Sequence, residues 1–316
     1  MNNRILSRNR TRLVVLLAVL LLLMSGCHSN KIEETGEPAY IFDVRLINNT
    51  LYWIGRFDDV FELHSGNIDQ SVLVKSFPED TLVVFCEDKV CYYYLDAGVL
   101  AAYSPVTDQV STICESLEGS LMCAARDYCL LSTETKTLLV NTQNGEVLPA
   151  ENMPSGFFKI LDMLGNTIVL WNHDQQTICE YDCEKDSLTV LYTRERTASS
   201  VMVTAILYGD SLYFAETQGG FRKIPTRMPY ELPVTVSANK IIATERTDHG
   251  LIIAAKYGSD IHFYWMSEEE ELTEFAVWQD AGYIVPGSCL LCASEDKIAC
   301  AVTSEWAIFE ADLPSF

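Results

Sequence analysis

Short apolar runs rich in Val, Ile, Tyr, Phe, Leu and Trp alternate along this chain with Asp, Asn and Gly. These are strand and turn signals. The first apolar residue after a turn recurs as Leu51, Val90, Cys129, Ile168, Leu212, Leu251 and Ile298, at intervals of 39, 39, 39, 44, 39 and 47 residues. Two positions before each anchor stand Asn49, Asp88, Asp127, Asn166, Asp210, His249 and Asp296. Asp and Asn suit tight turns because they tolerate left-handed backbone and bond their own main chain. Ten positions after each anchor stand Phe61, Leu100, Leu139, Ile178, Arg222, Ile261 and Ile308, apolar in all but one unit.

Four strands of five or six residues with four short connections make a unit of about forty residues. That is one blade of a propeller. The second unit predicts strands at Leu82–Cys86, Val90–Leu95, Leu100–Tyr103 and Val110–Cys114. The expected fold is all-β: a seven-bladed β-propeller of four-stranded antiparallel blades over residues 39–316. Blades in a ring bury their faces against one another and leave only protected edges. The seventh unit is the weak one. The chain ends 18 residues after Ile298, before the point where other units place a fourth strand, so residues 31–42 are expected to supply it. Helical repeats of similar period compete, and "MSEEEELTEFAVW" from Met266 is their best segment.

Leu51-Tyr52-Trp53 and Leu212-Tyr213-Phe214 occupy matching places in two units. They resemble the second strand of YWTD-type propellers and of bacterial lipoproteins built from similar repeats. The tetrapeptide itself reads Tyr52-Trp-Ile-Gly55 here. The resemblance covers most of the chain in period and only these residues in motif. It implies binding and scaffolding.

The N-terminus adds a location. Arg4, Arg8, Arg10 and Arg12 precede an unbroken apolar run from Leu13 to Met24. Twelve residues are too few for a membrane span, which takes about 20, but fit a signal peptide. Met24-Ser25-Gly26-Cys27 resembles the lipobox of bacterial lipoproteins. Residues 1–26 are therefore expected to be removed, Cys27 to carry a lipid, and residues 27–38 to form a polar tether. The expected location is the outer face of the cell membrane, or the outer membrane of a Gram-negative cell.

Removing residues 1–26 takes away four arginines and no acid, moving the formal charge from −22 to −26. So acidic a surface argues against nucleic acid as a partner, since that needs basic patches. It favours a cationic partner, a protein or peptide; a glycan is the third candidate, since aromatics beside carboxylates also suit sugars. Besides Cys27 there are ten cysteines, several in greasy contexts that read as buried thiols. Their pairing is open, although Cys86 and Cys91 flank a hairpin turn and are placed to bridge it. Cys289-x-x-Cys292 falls on a first strand, where residues three apart point to opposite faces, which disfavours a metal or redox pair.

No catalytic, phosphate-loop or dinucleotide motif is present. His28, His64, His173, His249 and His262 are scattered and read as structural. "YDCEKDS" carries Asp182, Glu184 and Asp186 without the glycine and distal glutamate of a calcium loop. No cofactor or metal is expected. One constellation remains. Each turn between second and third strands carries an acid: Asp58, Asp96, Glu134, Asp174, Glu216, Asp260 and Glu305. All seven belong to one end of a propeller and would ring one mouth of its channel. Trp278 and Tyr283 fall in the longest expected loop, Ala276 to Ser288. The expectation is a lipid-anchored binding or scaffold protein rather than an enzyme. The alternative is a carbohydrate-active enzyme using two mouth carboxylates, which must stand about 5–10 Å apart.

Overall fold

The computed structural model describes residues 40–314, apart from 126–127, 134–136, 154–157, 195–200, 218–219, 228–231, 238 and 286. Among the described residues antiparallel meanders follow one another, six of four strands and a last one of three. First strands of successive blades approach one another, so they line the axis of a seven-bladed β-propeller. They are Tyr40–Ile47, Thr81–Cys86, Ser120–Ala125, Phe158–Leu164, Met202–Tyr208, Ile241–Thr247 and Cys289–Ala293. Each is followed by a second strand that begins one residue before its anchor: Thr50–Phe57, Lys89–Tyr94, Tyr128–Ser132, Thr167–Asn172, Ser211–Glu216, Gly250–Tyr257 and Lys297–Val302.

The polar residues before the anchors make these hairpins tight. Ile47 pairs with Thr50 across Asn48 and Asn49, both left-handed at φ 49° and 60°. Two left-handed residues match the twist of the flanking strands. First strands also share a device that periodicity does not reveal. Five of them carry a bulge, at Phe42, Met122, Leu161, Val203 and Ile242, where the register skips one residue. A bulge sharpens twist and re-aims the next side chain. In two blades that next residue is an aspartate, Asp43 and Asp162.

Each gap between neighbouring blades holds its own apolar cluster. The gap between the last and first blades is filled like the rest. Ile41, Val44, Leu51 and Trp53 pack there on Cys292, Ala299, Ala301 and Ile308. This is how the ring closes. Of residues 31–42, expected to complete the last blade, 31–39 lie outside the described residues, and Tyr40–Ile47 pairs with Thr50–Phe57 inside the first blade. Among the described residues the last blade has three strands. Packing is supplemented by Asn49, which donates to Asp296 at 3.0 Å and accepts from Ser294 at 2.6 Å.

Two further expectations are corrected. The segment from Met266 is not helical. Leu272–Trp278 is the outer strand of the sixth blade and pairs with Asp260–Met266, so cross-strand packing overrides the helix propensity of its glutamates. The connection to the last blade consequently starts after Trp278, which is a strand residue rather than a loop residue. Cys86 and Cys91 do not bridge; their thiols hydrogen-bond to each other and to Cys129 inside one gap between blades.

Candidate functional site

The turns that join second and third strands do share one end of the ring, and the predicted acids sit in or beside them. Asp58, Asp96, Asp174 and Glu305 are exposed turn residues, and Asp260 is partly exposed. Glu134 lies outside the described residues, as does Cys27. Several of these acids have local tasks. Asp260 accepts from the Asp280 amide at 3.0 Å, and Glu305 accepts from the Tyr283 amide at 3.0 Å. Glu216 is not a solvent-facing acid. Its carboxylate is only 7% exposed and lies between Arg222 and Arg194. The Arg222 guanidinium also stacks 4.8 Å from the ring of Phe214.

Trp278 stacks on Phe309 of the last blade, with ring centroids 5.6 Å apart. Tyr283 is 74% exposed, with Lys256 Nζ 5.4 Å from its ring. Glu216 and Tyr283 are brought together: both line a cavity of about 350 Å3 with Lys240 and Lys256. Two lysines at that point make this sector of the mouth less acidic than the turn residues alone imply. Substitution separates the roles. Glu216→Ala is expected to cost about 3 kcal/mol, because it removes the carboxylate from between the buried Arg194 and the half-buried Arg222. Asp58→Asn and Asp174→Asn are expected to stay within about 0.5 kcal/mol of wild type. Urea unfolding of the three variants measures both.

The other end of the channel holds a denser group that the turn acids did not signal. Arg45, Asp162, Glu245 and Cys292 pair with Tyr52, Val169, Ile252 and Ala299 on their second strands. Each partner is one residue past its blade's anchor, so all four sit at one level of the ring. Arg45, Asp162, Glu245 and Arg246 line a cavity of about 460 Å3 with Ile206, Thr244 and Glu87. Glu87 belongs to a turn between first and second strands, which fixes the end at which this cavity opens. With Ala124 of the third blade, residues from six blades therefore line this part of the channel.

Two of these acids are committed to structure. Asp162 accepts from the Leu207 amide of the next blade at 2.8 Å and from its own neighbour Met163. It also pairs with Arg246 of the blade beyond. Arg246 Nε and one of its terminal nitrogens donate to the Leu207 carbonyl at 2.9 and 2.7 Å. One clamp thus ties three blades. Asp43 repeats the theme, accepting from Val44 at 2.8 Å and from the Phe85 amide of the second blade. Burial raises the pKa of both aspartates, opposed by Arg45 at Asp43 and by Arg246 at Asp162.

Arg45 and Glu245 are different. Burial works against the charge of Arg45, but Asp43 and Glu245 outweigh it and hold its pKa above the ordinary value. Even so, among the described residues Arg45 Nε has no hydrogen-bond partner. Burial raises the Glu245 carboxyl to about 7, against the pull of Arg45. Cys292 at the same level is pushed up to about 12, chiefly by burial. Among the described residues no cluster has the makings of a metal centre.

Sequence reasoning missed this group because it searched turns for acids. A signal was present. Six residues before the anchors stand Arg45, Val84, Cys123, Asp162, Ile206, Glu245 and Cys292. Three ionic residues at an offset that holds Val, Ile or Cys in the other four blades mark the channel level.

No protein-family model and no curated protein matches this chain. Solved structures do. PorZ, a surface component of the type-IX secretion system of Porphyromonas gingivalis, superposes with a TM-score of 0.52 at 12% identity over 86% of this chain. The likeness is one of fold. This chain spans only 36% of that one. The computationally designed Ika8 protein matches with a TM-score of 0.53 at 11% identity, covering 89% of this chain and 98% of its own. A chain of a mitotic checkpoint complex matches with 0.57 at 11% identity, covering 90% and 94%. Proteins this far apart in sequence share an architecture that serves unrelated tasks.

Proposed function

We propose that this chain is a binding protein, not a catalyst, held by a lipid on Cys27 at the outer face of a membrane. The channel group is its binding site. The observation that carries the binding reading is Arg45: a guanidinium sunk in a cavity, with an Nε that no described residue satisfies. Buried polar groups are normally paired, and an exception calls for a water, an ion or a ligand. Rings of sheets suit this use, because turns at both ends can vary without disturbing the blades. A secretion-system surface component shares the fold, which agrees with a place outside the cell. The acidic exterior favours a cationic protein or peptide as any larger partner and disfavours nucleic acid.

Growth with an alkyne-bearing fatty acid tests the anchor. Wild-type protein is expected to take the label and to begin at Cys27 by mass spectrometry. Cys27→Ser is expected to take none. A mature chain that starts elsewhere, unlabelled, would mean an ordinary secreted protein.

A further inference from the structure

We infer that the channel cavity between Arg45 and Glu245 binds a small zwitterion, an amino acid or very short peptide, with its carboxylate on Arg45 and its ammonium on Glu245. The inference rests on the binding reading above and names the ligand class of that site.

The choice follows from which groups remain available. Asp162 and Arg246 are spent on each other and on the Leu207 backbone. Asp43 is occupied by two backbone amides. That leaves Arg45, with a donor unused, and Glu245. They act on each other through space while forming no ion pair among those the described residues make. A ligand standing between them must accept at one end and donate at the other.

Charge narrows the class. Asp43, Asp162 and Glu245 outnumber Arg45 and Arg246, and Glu87 adds an acid at the opening. A simple anion would satisfy Arg45 but enter a negative field. A simple cation would suit the field but leave Arg45 unsatisfied. A carboxylate with an ammonium a few ångströms away meets both needs, and the planar fork of arginine matches a carboxylate in two bonds. Sugars are the remaining candidates, since hydroxyls both donate and accept. They usually also stack on an aromatic ring, and the described residues lining this cavity include none. About 460 Å3 is room for a ligand of amino-acid to dipeptide size.

Saturation-transfer NMR on the soluble chain from residue 28 tests this. The probes are the twenty common amino acids and glycylglycine. N-acetylated and methyl-esterified forms of any that bind, succinate, and glucose serve as controls. At least one zwitterion is expected to bind, with affinity falling about 10- to 100-fold when either end is blocked. Arg45→Gln and Glu245→Gln are expected to lose binding to the same degree, while Asp96→Asn at the far mouth leaves it unchanged. Binding should also weaken from pH 8 to pH 6, as Glu245 takes up a proton beside Asp43, Asp162, Arg45 and Arg246. Blocked ligands need no variant, so a folding failure in the mutants does not decide the matter. Binding of no zwitterion, or binding indifferent to blocking, overturns the inference. Glucose or succinate bound in an Arg45-dependent way also overturns it, while leaving a channel binding protein in place.

Discussion

Replacing Arg246 by alanine is expected to lower the stability of the propeller by about 3–5 kcal/mol. The side chain is 16% exposed and its partner Asp162 is 12% exposed, so water only partly solvates either charge once the other is gone. Without the guanidinium, Asp162 is left buried with only amide donors, and the Leu207 carbonyl loses its two bonds from that side chain. Breaking one half of a buried pair costs more than removing both. The double variant Arg246→Met with Asp162→Leu is therefore expected to recover much of the loss, because three blades then meet through packing alone. Urea unfolding of the single and double variants measures the difference.

Trp53→Ala is expected to cost a similar amount, about 3–5 kcal/mol, and to lower Tm by roughly 10 °C. Trp53 is 1% exposed and is the largest side chain in the cluster where the first blade meets the last. Its ring stacks on His64 with centroids 4.4 Å apart, and its Nε1 donates to the Gly66 carbonyl at 3.1 Å. Alanine removes all of this from a gap that no shared strand closes among the described residues. Calorimetry of Trp53→Ala measures the loss directly. A drop of only a degree or two would mean that this gap contributes little to holding the ring.

The blade repeat was legible because turns and core positions recur in register. All seven anchors fall on the second residue of a second strand. The position ten residues later is the second residue of a third strand in six blades, and only Leu139 is displaced by one. That regularity is chemical: a two-residue turn demands Asn, Asp or Gly, and the pairing register then places each apolar side chain in a gap. The channel group was harder to see. Arg45, Asp162 and Glu245 look like ordinary polar alternation within their own strands, and their meaning appears only when seven strands are placed around one axis. Bulges at Phe42 and Leu161 leave no mark in composition, yet they set the aim of Asp43 and Asp162. Glu216 shows the reverse difficulty. It sits where an exposed acid was expected, but Arg194 from the blade before folds over it.

The last blade, three-stranded among the described residues, bears on how the ring comes together. Within a blade, and between most neighbours, contacts join segments roughly one repeat apart. The bond from Ser294 to Asn49 spans 245 residues. Loop-closure entropy grows only with the logarithm of length, by about 0.6 kcal/mol per doubling. Joining the two ends of the ring therefore costs only about 1.6 kcal/mol more than adding a blade along the way. One pair of hydrogen bonds and a buried indole outweigh that difference.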